Sequence, residues 1–164
     1  MSQPAVSVGD TFSGTMPVAE RQRFDVGGLQ AFLRTHVEGF DDGGRSIEDE
    51  QFKGGQSNPT FRITSGTGAG TKKYVLRRKP SGKLLPSAHA VDREYRVISA
   101  LSRAGIPVAR AYCLCLDESV IGTAFYVMDC VDGRVLWDPA LPGFTPAQRG
   151  AVFAEMNRVI AALD

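Results

Sequence analysis

Apolar positions are sparse at the start of the chain and first become periodic after residue 25. Leu29, Phe32 and Leu33 fall on one face of a helix, and Asp25 stands where an N-cap belongs. A short helix ending near Thr35 is therefore expected, with residues 1–20 read as a flexible lead-in. The polar, glycine-bearing stretch from Glu38 to Glu50 reads mostly as loop. The apolar period then shortens to two. Phe52 closes a strand, Gly54-Gly55 turns the chain, Thr60-Phe61-Arg62-Ile63 alternates, residues 66–70 turn again, and Lys73-Tyr74-Val75-Leu76-Arg77-Arg78 forms a third strand. Short glycine links between alternating runs predict an antiparallel meander.

Ser87 is expected to open a helix reaching about Ala104, with Gly105 as its stop and Pro107 beyond. Two strands follow, Ala111 to Leu116 and Ala124 to Asp129. Thr145-Pro146 then starts a last helix, whose Val152, Met156, Val159, Ile160 and Leu163 have helical spacing and require a covering partner.

Composition changes this picture little. The 164 residues suit one domain, and 19 basic against 18 acidic side chains supply no field that would draw nucleic acid or an anionic membrane. No run approaches the roughly 18 apolar residues of a membrane span. Cys113, Cys115 and Cys130 are odd in number and poorly spaced for a disulfide framework or a zinc site, so they read as reduced cysteines of a cytoplasmic protein.

Candidate chemistry begins with Glu94. On the helix beginning near residue 87 it shares a face with Val91, Tyr95, Ile98 and Leu101. A carboxylate turned toward a core is costly without a cation, and the third strand offers Arg77, Arg78 and Lys79. Alternation puts Val75 and Arg77 on one strand face and Leu76 and Arg78 on the other. An Arg77 meeting Glu94 would compensate both charges and keep donors for an anion; the opposing reading is a solvated Glu94 at the edge of the stripe. Gly54, Gly55, Ser57 and Asn58 make a second candidate, because backbone N–H groups in a glycine turn can approach phosphate oxygens, although most such turns only reverse the chain. Gly66-Thr67-Gly68-Ala69-Gly70 leads into a strand and so is no dinucleotide fingerprint, and no Gly-Lys-Ser/Thr tripeptide ends a Walker A loop. His36 and His89 carry no pattern that implies chemistry.

In this order, the pieces resemble the small lobe of the aminoglycoside phosphotransferase family, within the kinase-like fold. Protein kinases carry Val-Ala-Ile-Lys on the third strand; here Tyr74-Val75-Leu76-Arg77 stands there, so arginine replaces lysine. Pro80-Ser81-Gly82-Lys83-Leu84-Leu85, Ser87-Ala88-His89 and Arg93-Glu94-Tyr95-Arg96-Val97 resemble a branch of kinase-like domains fused to, or encoded near, acyl-CoA dehydrogenases. The resemblance covers roughly residues 25–164. It implies an α+β fold: a five-stranded antiparallel sheet with one main helix over residues 21–131, then a hinge and the first helix of a second lobe over 132–164. It further implies ATP and Mg²⁺ as cofactors and a small-molecule hydroxyl as acceptor, with Val75 among the cofactor-binding residues, Met128 as gatekeeper behind the adenine, and the Asp129 carbonyl and Val131 N–H on its edge.

The catalytic Asp and Asn and the metal-holding Asp that kinase-like enzymes place after such a helix have no counterpart here. The expectation is a nucleotide-binding lobe of a longer phosphotransferase, inactive alone, with its metal ligands elsewhere. Two alternatives stay open: a kinase-like module that binds nucleotide or a partner without catalysis, and an acyl-CoA dehydrogenase name carried over from fused relatives.

Overall fold

The computed structural model describes residues 13–54, 57–80, 82 and 90–163. Strands β1 (Thr15–Met16), β2 (Glu48–Phe52), β3 (Thr60–Ser65), β4 (Lys72–Arg78), β5 (Ala111–Cys115) and β6 (Phe125–Asp129) form one antiparallel sheet in the order β1-β2-β3-β4-β6-β5. Helices α1 (Val26–His36), α2 (Val91–Arg103) and α3 (Pro146–Ala161) complete the chain. The sheet thus has six strands where five were expected. The additional one lies inside the segment read as a flexible lead-in, where Thr15 and Met16 pair with Phe52 and Gln51. Its two residues are too few to carry a period-two signal, and only pairing with β2 makes them a strand.

Local signals account for most of the helix ends. Asp25 accepts a hydrogen bond from the Gly28 N–H at 2.9 Å and so caps α1. Thr145 and Gln148 form a capping box at the start of α3, with Pro146 at its first position. The expected start of α2 at Ser87 lies outside the described residues; within them the helix begins at Val91, and Ala90 offers no side-chain cap. Gly66 has φ +85°, and a Cβ there would meet the Gly70 carbonyl oxygen at 2.4 Å, so that turn requires glycine for its own geometry.

The alternation of β4 divides the molecule into layers. Tyr74, Leu76 and Arg78 face α1, beside Phe61 and Ile63 of β3 and Phe125 and Val127 of β6, in a core that includes Leu29 and Leu33. Val75 and Arg77 face the other way, opposite Met128 and Tyr126 of β6, toward α2. The α1 core is the larger; on the α2 side a small cluster of buried Val91, Ala124 and Tyr126 is flanked by half-buried Tyr95, Ile98, Leu114 and Met128. Arg78 is buried in the first core, where its guanidinium donates to the Gln22 carbonyl and side-chain oxygens at 2.9 and 2.8 Å and lies over the Phe24 and Phe61 rings. Burial pushes its pKa down from the ordinary arginine value.

The loop after α1 is tied to that helix by Asp42. Its carboxylate accepts from Arg34 Nε at 2.6 Å, Gln30 Nε2 at 2.5 Å and the Gly44 N–H at 2.9 Å. The Arg34 and Gln30 hydrogen bonds lower its pKa from 3.8 to about 2. A carboxylate held lower in the folded state contributes stability that is present above the unfolded pKa and lost as pH falls through the folded one. Thermal stability is therefore expected to decline more steeply between about pH 4 and pH 2 in the wild type than in Asp42→Asn. Parallel melting curves for the two proteins across that window would remove Asp42 as the cause.

Candidate functional site

Arg77 and Glu94 meet on the α2 side of the sheet. Arg77 Nε lies 2.8 Å from Glu94 Oε2, and Nη2 donates to Oε1 at 3.5 Å. The Nε–H is not aimed along the shorter line, so that contact is an ion pair, and among the described residues no other acceptor takes that hydrogen. Both side chains are about one-third exposed, at 30% and 33%. This falls between the two readings of the sequence: Glu94 is paired, yet water reaches the pair.

Two further donors converge on the same carboxylate. Asn58 Nδ2 donates to Oε1 at 2.8 Å and the Tyr126 hydroxyl to Oε2 at 3.2 Å. Burial, followed by the charge of Glu94, pushes the Tyr126 phenol up to about 12, so it remains a neutral donor at ordinary pH. Helix α2, strands β4 and β6, and the end of the β2–β3 turn are thereby joined through one side chain. Above the pair opens a cleft of about 440 Å³, lined by Arg77, Arg93, Glu94, Val97, Ile98, Tyr126 and Met128. Its lining joins apolar side chains to two arginines and a carboxylate, a combination that can take a ligand with an apolar part and an anionic one.

The other expected positions distribute as follows. Gly54 follows β2 and is half-buried, Ser57 is exposed, and Gly55 lies outside the described residues. Asn58 is 3% exposed and its amide is committed to Glu94, a different partner from the phosphate oxygens expected of it. Val75 is buried opposite Met128, as alternation required. Asp129 donates its backbone N–H to the Arg110 carbonyl at 2.9 Å and accepts the Tyr112 hydroxyl on its carboxylate. Val131 is 72% exposed, and among the described residues no backbone carbonyl accepts its N–H.

Tyr126 was missed by sequence reasoning. Its signal, a polar hydroxyl two residues before Met128 on the same strand face, becomes meaningful only once β6 is known to pair with β4. The cysteines behave as expected of core residues: Cys113 and Cys115 are buried, and burial pushes the Cys113 thiol up to about 12, far from a reactive thiolate. His36 stacks on Phe32 at the end of α1, and His89 lies outside the described residues. Among the described residues no group of three or more His, Cys, Asp or Glu is placed to hold a metal, and no helix is long and apolar enough to cross a membrane.

Comparison with known proteins agrees with this architecture. Residues 48–164 match the model of the phosphotransferase enzyme family, APH. The chain is 46% identical over 147 residues to the Arabidopsis thaliana "Probable acyl-CoA dehydrogenase IBR3", covering 89% of this chain and 18% of that protein. It is 43% identical over 155 residues to mouse acyl-CoA dehydrogenase family member 11, covering 94% of this chain and 19% of the relative. A crystal structure of a Ralstonia eutropha protein described as a "putative aminoglycoside phosphotransferase" shares 52% identity, with a TM-score of 0.70 over 85% of this chain and 38% of that one. The chain thus spans about a fifth of the curated relatives it matches. With the family match running over more than half of the residues, and a structure at 52% identity repeating the fold, the chain belongs to the phosphotransferase enzyme family.

Proposed function

We propose that this chain is the nucleotide-binding small lobe of a kinase-like enzyme that phosphorylates a hydroxyl group on a small molecule. The observation that carries the reading is the Arg77–Glu94 pair lining a cleft with Val97, Ile98 and Met128, on the same two elements where kinase-like enzymes hold nucleotide phosphates. ATP supplies the phosphoryl group when bound. Val75 and Met128 would flank the adenine, the Asp129 carbonyl and Val131 N–H would meet its edge, and Gly54, Gly55 and Ser57 would lie over the phosphates. Arg77 would bind their oxygens, oriented by Glu94. Residues 21–131 form this lobe in our reading, and residues 132–164 the hinge and first helix of the second lobe. Met156 and Ile160 of α3, 51% and 61% exposed, give that helix an apolar face for such a lobe to cover.

Mg²⁺, held by residues outside this chain, and cytoplasmic residence complete the proposal. A hydroxylated acyl-CoA-type metabolite is the acceptor suggested by the branch. The dehydrogenase name of the relatives is not carried over, because the matched fifth of their length is the part that matches a phosphotransferase family.

Titration of the complete protein with ATP tests the reading. Saturable binding, with release of ADP when a hydroxyl acceptor is supplied, supports it. Saturable binding without transfer to any acceptor leaves a nucleotide-binding module, and absence of binding overturns the reading.

A further inference from the structure

Glu94 carries more hydrogen-bond donors than an ion pair with Arg77 needs. One of them, Asn58, comes from a different part of the fold. It ends the β2–β3 turn, is 3% exposed, and reaches α2 across 36 residues of sequence with a 2.8 Å hydrogen bond. The residue after it is tied to β4 as well: the Pro59 carbonyl accepts from the Arg78 N–H at 3.1 Å, next to Arg77 in the chain. Tyr126 holds the second carboxylate oxygen from β6. The chain entering β3 is therefore held to the cation-bearing strand by backbone and to α2 by side chain.

We infer that Asn58 is a positioning residue. It clips the end of the β2–β3 connection, residues 57–60, to Glu94, so that this end and the Arg77–Glu94 pair are held as one unit. This inference rests on the nucleotide reading and assigns Asn58 to Glu94 rather than to the ligand. A buried amide is well suited to the task, since it donates to a carboxylate without adding a charge that would compete with Arg77. The hydroxyl of Tyr126 does the same from the opposite side and, being neutral, also leaves the arginine as the sole cation on Glu94 among the described contacts.

The test is a double-mutant cycle on nucleotide affinity in the complete protein, titrated with a non-hydrolysable ATP analogue. Asn58→Ala is expected to weaken binding about ten-fold, the scale of a lost hydrogen bond to a charged group. In a Glu94→Ala background the same change is expected to cost less than about two-fold, because the acceptor is gone. Tyr126→Phe keeps the packed ring and removes only the hydroxyl, and is expected to cost about three-fold. Losses for Asn58→Ala that are equal in the two backgrounds would assign it a plain structural role or a direct ligand contact, and would overturn the inference.

A second measurement needs no nucleotide. Amide hydrogen exchange of the free protein should quicken in Asn58→Ala both in residues 57–61 and in the first turns of α2, whereas quickening in residues 57–61 alone would overturn the clip. If the wild type takes up no nucleotide at all, the nucleotide reading falls on that result, and the exchange pattern still decides whether the clip exists.

Discussion

Arg77→Ala is expected to weaken ATP binding about thirty-fold, close to the 2 kcal/mol lost when a hydrogen bond to a charged group disappears. The guanidinium lines the cleft with Arg93, and among the described residues the hydrogen bond to Glu94 takes only its Nη2 donor. A much smaller change is expected in melting temperature. Ion pairs that water reaches contribute little to folding, and this one is about one-third exposed on both sides. Affinity should therefore fall far more than stability, a split that separates a ligand-binding role from a packing one. Arg77→Lys, which restores the residue type of protein kinases, should recover only part of the loss. An ammonium supplies the charge but not the planar fork that meets a carboxylate and a phosphate together. Unchanged affinity in Arg77→Ala would remove this residue from the site.

The largest effect on stability is expected at Phe61. Its ring is fully buried, lies edge-on to Phe24 with centroids 5.1 Å apart, and has the Arg78 guanidinium 5.1 Å from its centroid. Phe61→Ala removes apolar area and leaves a cavity, together about 3–5 kcal/mol. Here it would also strip the aromatic cover from a buried arginine whose Nε has no hydrogen-bond partner among the described residues. Urea denaturation of the variant is expected to show a midpoint shifted by that amount with an unchanged slope. A loss below about 1 kcal/mol would mean that Phe24 and α1 collapse into the space, contrary to the packing described above. Phe61 also pairs with Leu76 next to Arg77, so a large loss would show that the α1 core, on the far side of the sheet, is what holds the site-bearing strand in place.

Several features of the site were legible in the residues. Alternation along β4 separated Val75 and Arg77 from Leu76 and Arg78, and the structure keeps that separation. Helical spacing put Glu94 on the inner face of α2, and it meets Arg77 there. Asp25 and the Thr145–Pro146 pair marked helix starts that the chain uses. These features share a physical origin: backbone periodicity and capping depend on residues within one or two turns, so they are written locally.

What the residues could not show depends on long-range register. Thr15–Met16 becomes a strand only because β2 lies beside it. β6 inserts between β4 and β5, and this order alone sets Tyr126 opposite Arg77 and gives Glu94 its third partner. Asn58, read from its neighbours as a loop donor, also donates to a carboxylate 36 residues away, a contact its neighbours do not foretell. The sequence by itself determined which residues face which side of each element, since hydrophobic period and side-chain geometry are local. The tertiary structure decided which of those faces meet, because the free energy of joining distant segments lies in burial and hydrogen bonds that no short window of sequence contains.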